Sequence, residues 1–228
     1  AISVEGNEGE VLSGWSMRNV HLPARVKECL SETAYLTDKA IEFVKTQAKQ
    51  PWCLHLSYVK PHWPYVAPAP YHAMFREAEQ LPLIKASHER TRAHPVVQAF
   101  QQHEESLSFG QDEVAGHVKP TYMGLVAQLD HHLGRLMQSL EESGQADDTL
   151  IVLCADHGDM LGDHWLGEKE LFYEAAVRTP LIVVDPRAPA DETRGKSLPQ
   201  MVQAIDVLPT ILEAVGIDRG TWGHIVEG

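Results

Sequence analysis

Thr149-Leu150-Ile151-Val152-Leu153-Cys154-Ala155 runs without a break into Asp156-His157-Gly158-Asp159. The first part is an apolar run that follows the turn pair Asp147-Asp148, and it predicts a strand over 149–155 buried on both faces. The second part places a carboxylate, an imidazole and a glycine at the carboxyl end of that strand. In open α/β sheets, ligands bind just outside that end.

Working outward, the segment before the strand predicts a long helix over 120–143. Pro120 suits a first helical turn, and Tyr122, Leu125, Val126, Leu129, Leu133, Leu136, Met137 and Leu140 form one apolar stripe. Gly144 is its stop, and His131-His132 falls on its expected outer surface. After the strand, residues 158–178 read as Gly-punctuated loop and short helix, and Pro180-Leu181-Ile182-Val183-Val184 as a further strand. A polar linker over 187–197 leads to a helix over 200–215.

Further upstream, Ser31 caps a helix over 31–49 with Ala34, Ile41, Val44 and Ala48 at helical spacing. Pro51 ends it, and 52–59 reads as a third strand, buried on both faces, that empties into Lys60-Pro61-His62-Trp63-Pro64. Residues 1–30 read as loop. Residues 66–118 form a polar, His-rich excursion with helical hints at 71–79 and 96–105, the kind of long loop that serves as a lid or binding loop. Helices alternating with apolar strands predict an α/β domain with a mostly parallel sheet and helices on both faces.

Composition narrows the function. The chain has 228 residues, is 43% hydrophobic and 22% charged, and this balance excludes extensive disorder. A net charge of −13 argues against nucleic acid and anionic membrane surfaces as partners. No apolar run is long enough to span a bilayer. Cys29, Cys53 and Cys154 match no zinc spacing and read as buried reduced thiols, which suits a cytoplasmic setting. The first residues lack Met and the last ones stop abruptly, so residues 1–228 are expected to be one incomplete catalytic domain.

Parallel strands would bring Lys60, His62, Asp156 and His157 to one edge of the sheet. Asp156 and His157 have the donor types of a metal site, and Gly158 permits the turn that would aim both at one ion. Taken singly, each residue also has an ordinary structural reading. Asp156-His157 alone fits a turn with a satisfied imidazole, and Lys169 alone fits a solvated loop cation. Asp163-His164 reads better as structural than as ligating.

Taken together the segments have a stronger reading. Ala155-Asp156-His157-Gly158-Asp159-Met160-Leu161-Gly162-Asp163-His164-Trp165, followed by Lys169, Tyr173-Glu174 and Arg178-Thr179-Pro180-Leu181, resembles the C-terminal sulfatase signature. Leu54-His55-Leu56-Ser57-Tyr58 with Lys60-Pro61-His62-Trp63-Pro64 resembles the strand and loop that carry that family's substrate-binding histidine. Ala204-Ile205-Asp206-Val207-Leu208-Pro209-Thr210-Ile211-Leu212 resembles the helix that follows. Asp156-His157 is most similar to the phosphonate monoester hydrolase branch, since many arylsulfatases carry Asp-Asn there.

The resemblance implies an alkaline-phosphatase-like three-layer α/β sandwich, present in part. It implies a hydrolase of small anionic phosphonate, phosphate or sulfate esters, which often forms homo-oligomers. Asp156 and His157 would hold a divalent metal ion. Imidazole suits Mn²⁺, Zn²⁺ or Fe²⁺ better than Ca²⁺, so Mn²⁺ is the first expectation. His62 and Lys169 would bind the substrate's oxygens and assist the leaving group as cations, with Lys60 as a further substrate contact. The family's nucleophile is a formylglycine made from Cys or Ser within C/S-x-P-x-R, and none of the three cysteines or the serines here lies in that pattern. The alternative is a catalytically incomplete sulfatase-like module that binds an anion or a partner.

Overall fold

The computed structural model describes residues 2–47, 49–76 and 82–223. Its scaffold is a pair of helices, α1 (Glu32–Thr46) and the long one that begins at Asp112. Ser31 caps α1 as expected, its Oγ accepting from Ala34 N at 3.2 Å. Ala34, Ala40 and Val44 form the buried face, while Ala48 lies outside the described residues.

The N-terminal segment is not simple loop. β1 (Ser3–Glu5) and β2 (Val11–Ser13) form an antiparallel hairpin with Val4 opposite Leu12. Its turn residues Glu8 and Gly9 both have positive φ, 54° and 84°. Strands this short carry too little alternation to be seen in a sequence dominated by Gly and Glu.

The excursion contains α2 (His88–Thr91), α3 (Pro95–Gln101) and α4 (Glu104–Phe109). Of the helical hint at 71–79, Tyr71–Ala73 forms a single 3₁₀ turn, and 77–79 lie outside the described residues. The excursion then runs directly into α5 (Asp112–Glu142), which starts eight residues before the expected Pro120. An interior proline removes one helical hydrogen bond and crowds the preceding turn. Burial of Val114, Ala115 and Val118, each at most 2% exposed, offsets that loss. The main core gathers on this face of α5 with Met17, Val20, Tyr65, Tyr71 and Phe109.

α1 and α5 are joined by a polar seam. His132 is 1% exposed rather than on the outer surface. Its Nδ1 accepts from Arg135 Nη1 at 3.0 Å, so its Nε2 donates to Glu28 Oε1 at 2.6 Å. Arg135 also donates to Asp38 at 2.6 Å. Burying the His132 imidazole is tolerable because both of its ring nitrogens are paired.

β3 (Ile151–Cys154) pairs with β4 (Leu181–Val184). α6 (Glu174–Val177) lies between them, and α7 (Val207–Ala214) and α8 (Arg219–Trp222) complete the chain. Both ladders among the described residues are antiparallel, where the sequence reading expects a mostly parallel sheet. A parallel crossover needs a helix long enough to pack across the sheet. Here only the one-turn α6 intervenes, and the chain doubles back to put Leu181 opposite Cys154. Residues 52–59 have no strand partner among the described residues, and their exposure alternates along the run. β4 is exposed along its whole length, with Ile182 at 55%. Cys29, Cys53 and Cys154 are exposed free thiols, contrary to the buried reading. No helix among the described residues is long and apolar enough to cross a membrane.

His21 and His72 gather near His117 of α5, with the His21 and His117 rings 4.3 Å apart. Burial first, then His117, holds His21 below the ordinary imidazole value, with Arg18 and Glu113 opposing. Burial, Arg76 and His21 do the same to His72. A folded-state value below the unfolded one means that the unfolded chain takes up more protons as pH falls through the imidazole range, so stability drops with acid. The urea midpoint is therefore expected to fall between pH 7.5 and pH 5.5, and by less in His72→Asn. An equal drop in that variant would place the acid sensitivity elsewhere.

Candidate active site

β3 delivers Asp156 and His157 to the start of the returning loop. Gly158 is required there because a Cβ would lie 2.0 Å from the Ala175 carbonyl oxygen, and Gly158 N donates to Ala176 O at 2.7 Å. The tight seat turns both preceding side chains outward. Asp156 accepts from the His157 backbone N–H at 2.9 Å and is 88% exposed. His157 Nδ1 donates to Gly158 O at 2.7 Å. That bond fixes the tautomer and leaves the Nε2 lone pair free, the form in which histidine binds metals. Nε2 stands 3.7 Å from Asp156 Oδ2, so an oxygen and a nitrogen donor share one space.

These two donors fit one side of a divalent metal site. Among the described residues no group of three or more His, Cys, Asp or Glu is arranged around a common point.

His62 approaches from the loop after residues 52–59. Its Nδ1 donates to Trp63 O at 2.7 Å, and its Nε2 accepts from Lys169 Nζ at 3.0 Å. The pair is therefore one ammonium donating to a neutral imidazole, rather than the two cations that the sequence reading pictures. Two full charges at that distance would repel. Lys169 also donates to Glu168 Oε2 at 3.2 Å. The His62 and His157 rings stand 6.0 Å apart, edge to face. The structure thus brings together His62, Lys169, Asp156 and His157 from two segments about 100 residues apart.

Lys60 departs from its expected substrate contact. Its Nζ donates to His62 O at 3.1 Å and to Pro64 O, so its protons are spent on its own loop. Burial pushes its pKa down to about 8, with Glu32 opposing. It shapes the loop that carries His62.

Asp163 and His164 anchor the loop to the excursion. Asp163 Oδ1 accepts from Lys119 Nζ at 2.9 Å and from Ile84 N at 3.0 Å. His164 bonds Glu89 at 2.7 Å and stacks on Tyr173 at 4.3 Å. Trp165 lies under Lys85 and Arg90, each 4.9 Å from its ring. These ties hold Leu161, His164, Trp165 and Glu168 at positive φ, from 46° to 63°. Such residues cost roughly 1–3 kcal/mol each and persist where surrounding contacts enforce them.

Asp159 and Tyr65 escaped the sequence reading. Asp159 Oδ2 accepts from Tyr65 O–H at 2.6 Å, and Oδ1 accepts from Leu161 N at 3.0 Å. Burial raises Asp159 to about 6, against the lowering effect of its hydrogen bonds. The signal was present: each lies within three residues of a singled-out histidine.

A family model described as Sulfatase matches residues 10–217. The multifunctional alkaline phosphatase superfamily protein PehA of Trinickia caryophylli is 37% identical over 85% of this chain and 40% of its own length. An arylsulfatase of Clostridium perfringens is 27% identical, over 85% of this chain and 40% of its own length. The solved phosphonate monoester hydrolase of Silicibacter pomeroyi superposes with a TM-score of 0.80 at 35% identity, covering 93% of this chain and 42% of that one. The chain thus spans about 40% of the length of these relatives.

Proposed function

The chain belongs to the sulfatase family of the alkaline-phosphatase superfamily, with its α/β fold, and from that premise we propose that the protein hydrolyses phosphonate, phosphate or sulfate esters at the His62–Lys169–Asp156–His157 site. The observation that carries this reading is the 3.0 Å bond from Lys169 to His62, formed across 107 residues and facing His157.

The Lys169 ammonium draws a tetrahedral oxyanion to the site and stabilises the charge that grows on it during transfer. His62 is held by the Trp63 carbonyl so that only Nε2 exchanges protons. As the substrate oxygen takes over the Lys169 hydrogen bond, the Nε2 lone pair becomes free to take up a proton from solvent and hand it to the departing alkoxide or phenoxide. Asp156 and His157 would hold a divalent ion, Mn²⁺ in the first instance, which would supply charge neutralisation and activation of the nucleophile. The family's nucleophile motif, C/S-x-P-x-R, is not among these 228 residues.

Protein isolated from its native cells is expected to hydrolyse p-nitrophenyl phenylphosphonate in Mn²⁺ faster than p-nitrophenyl sulfate. The reverse order would move it to the arylsulfatase side. The alternative reading is an anion-binding module without turnover. An intact mass near 25.4 kDa together with no hydrolysis of either ester would establish that reading instead.

A further inference from the structure

We infer that Tyr65 and Asp159 are positioning residues, a buried brace that sets the distance between His62 and His157. The inference rests on the anion site proposed above and assigns its geometry to a specific contact. Tyr65 is fully buried, with Phe109 and Tyr122 each 6.1 Å from its ring, so its hydroxyl stands on the packed face of α5. It lies three residues after His62, and Asp159 lies two after His157. Among the described residues, the 2.6 Å bond between them is the one hydrogen bond joining segment 60–66 to segment 156–162.

The carboxylate has no slack. One oxygen is committed to Tyr65 and the other to the Leu161 N–H. The next residue, Met160, donates its N–H to Glu168 O at 2.7 Å, which carries the constraint to the segment bearing Lys169. A buried hydrogen bond to a carboxylate is short and strong in such surroundings. The direct Lys169–His62 bond does not replace it, because Lys169 lies outside segment 156–162 and that bond leaves Asp159 and His157 untied to the His62 loop.

Tyr65→Phe keeps the ring and its packing and removes only the brace. Asp159→Asn keeps the volume and leaves an N–H facing one of its two donors. Both are made in the full chain, and the imidazole ¹H–¹⁵N signals are recorded without ligand. We expect the His62 and His157 signals to shift and broaden while His132, held between α1 and α5, stays in place. In a titration with inorganic phosphate the variants are expected to bind about tenfold more weakly, since small misplacements at a site cost this much or more. Unchanged His62 and His157 signals with only a lower melting temperature would overturn the brace. A shift of all three histidines would also overturn it, since it would mark general loosening. If Tyr65→Phe does not fold, Asp159→Asn decides by the same signals. Wild-type protein that binds no phosphate would count against the anion site itself, and the ligand-free signals would still decide the brace.

Discussion

Lys169→Ala is expected to lower kcat for an aryl phosphonate ester by about 100- to 1,000-fold, the loss typical of removing one donor to a developing oxyanion. Lys169→Arg is expected to recover little. The guanidinium is a planar fork, whereas the site presents one ammonium shared between His62 Nε2 and Glu168 Oε2 at 3.0 and 3.2 Å. His62→Ala removes the proton donor to the leaving group and is expected to cost about 10²–10⁴ in rate. The informative variant is the double one. Because the two side chains bond to each other, each single substitution already disables the pair. The double variant should therefore lose much less than the product of the singles. Steady-state kinetics with a good and a poor leaving group would check this. The His62→Ala loss should shrink with the better leaving group. Fully additive losses, or losses confined to KM, would mean that the residues only bind substrate.

How much of this site the sequence carried depends on the kind of residue. Asp156-His157-Gly158 was legible because an apolar run ends there and the next three residues have reactive or turn chemistry. The approach of His62 to Lys169 was legible only through the family resemblance, since nothing local connects residues 107 positions apart. Tyr65 looked like any aromatic in a Pro-rich loop until its hydroxyl was seen against Asp159. Lys60 failed in the opposite sense, as a charge beside a key histidine that is turned back onto its own loop carbonyls.

The same division holds for the fold. α1 and most of α5 followed from their apolar stripes, and Ser31 announced its cap. Pro120 misplaced the start of α5, because a first-turn preference is weaker than the burial of Val114 and Val118. His132 was read as surface because periodicity ranks it polar, and its partners Glu28 and Arg135 are invisible to periodicity. The β1–β2 hairpin was too short and too polar to stand out. The two-sided burial expected of residues 52–59 is absent, since every second position there is exposed.

The second large effect concerns the ion. His157→Ala and Asp156→Ala are each expected to weaken Mn²⁺ binding by at least about 100-fold, since even residues that merely support ligands cost 10–100-fold. His157→Asn makes a sharper prediction. It replaces a borderline nitrogen donor with a hard amide oxygen, so Ca²⁺ should gain on Mn²⁺. The expected wild-type preference for Mn²⁺ would rest on the His157 tautomer, which its 2.7 Å bond to Gly158 O holds with the Nε2 lone pair free. Calorimetric titration of both ions into wild type and His157→Asn would read the ratio of the two affinities. A ratio that does not move would remove His157 from the coordination sphere.

The central claim is that this face of the protein belongs to a metal-assisted ester hydrolase. It is tested most directly by following hydrolysis of p-nitrophenyl phenylphosphonate by the protein from its native cells, before chelation, after dialysis against EDTA, and after adding Mn²⁺ back. The account predicts turnover that is lost on dialysis and restored by Mn²⁺ in wild type but not in His157→Ala. Turnover that survives dialysis undiminished, or that returns equally in His157→Ala, would contradict it.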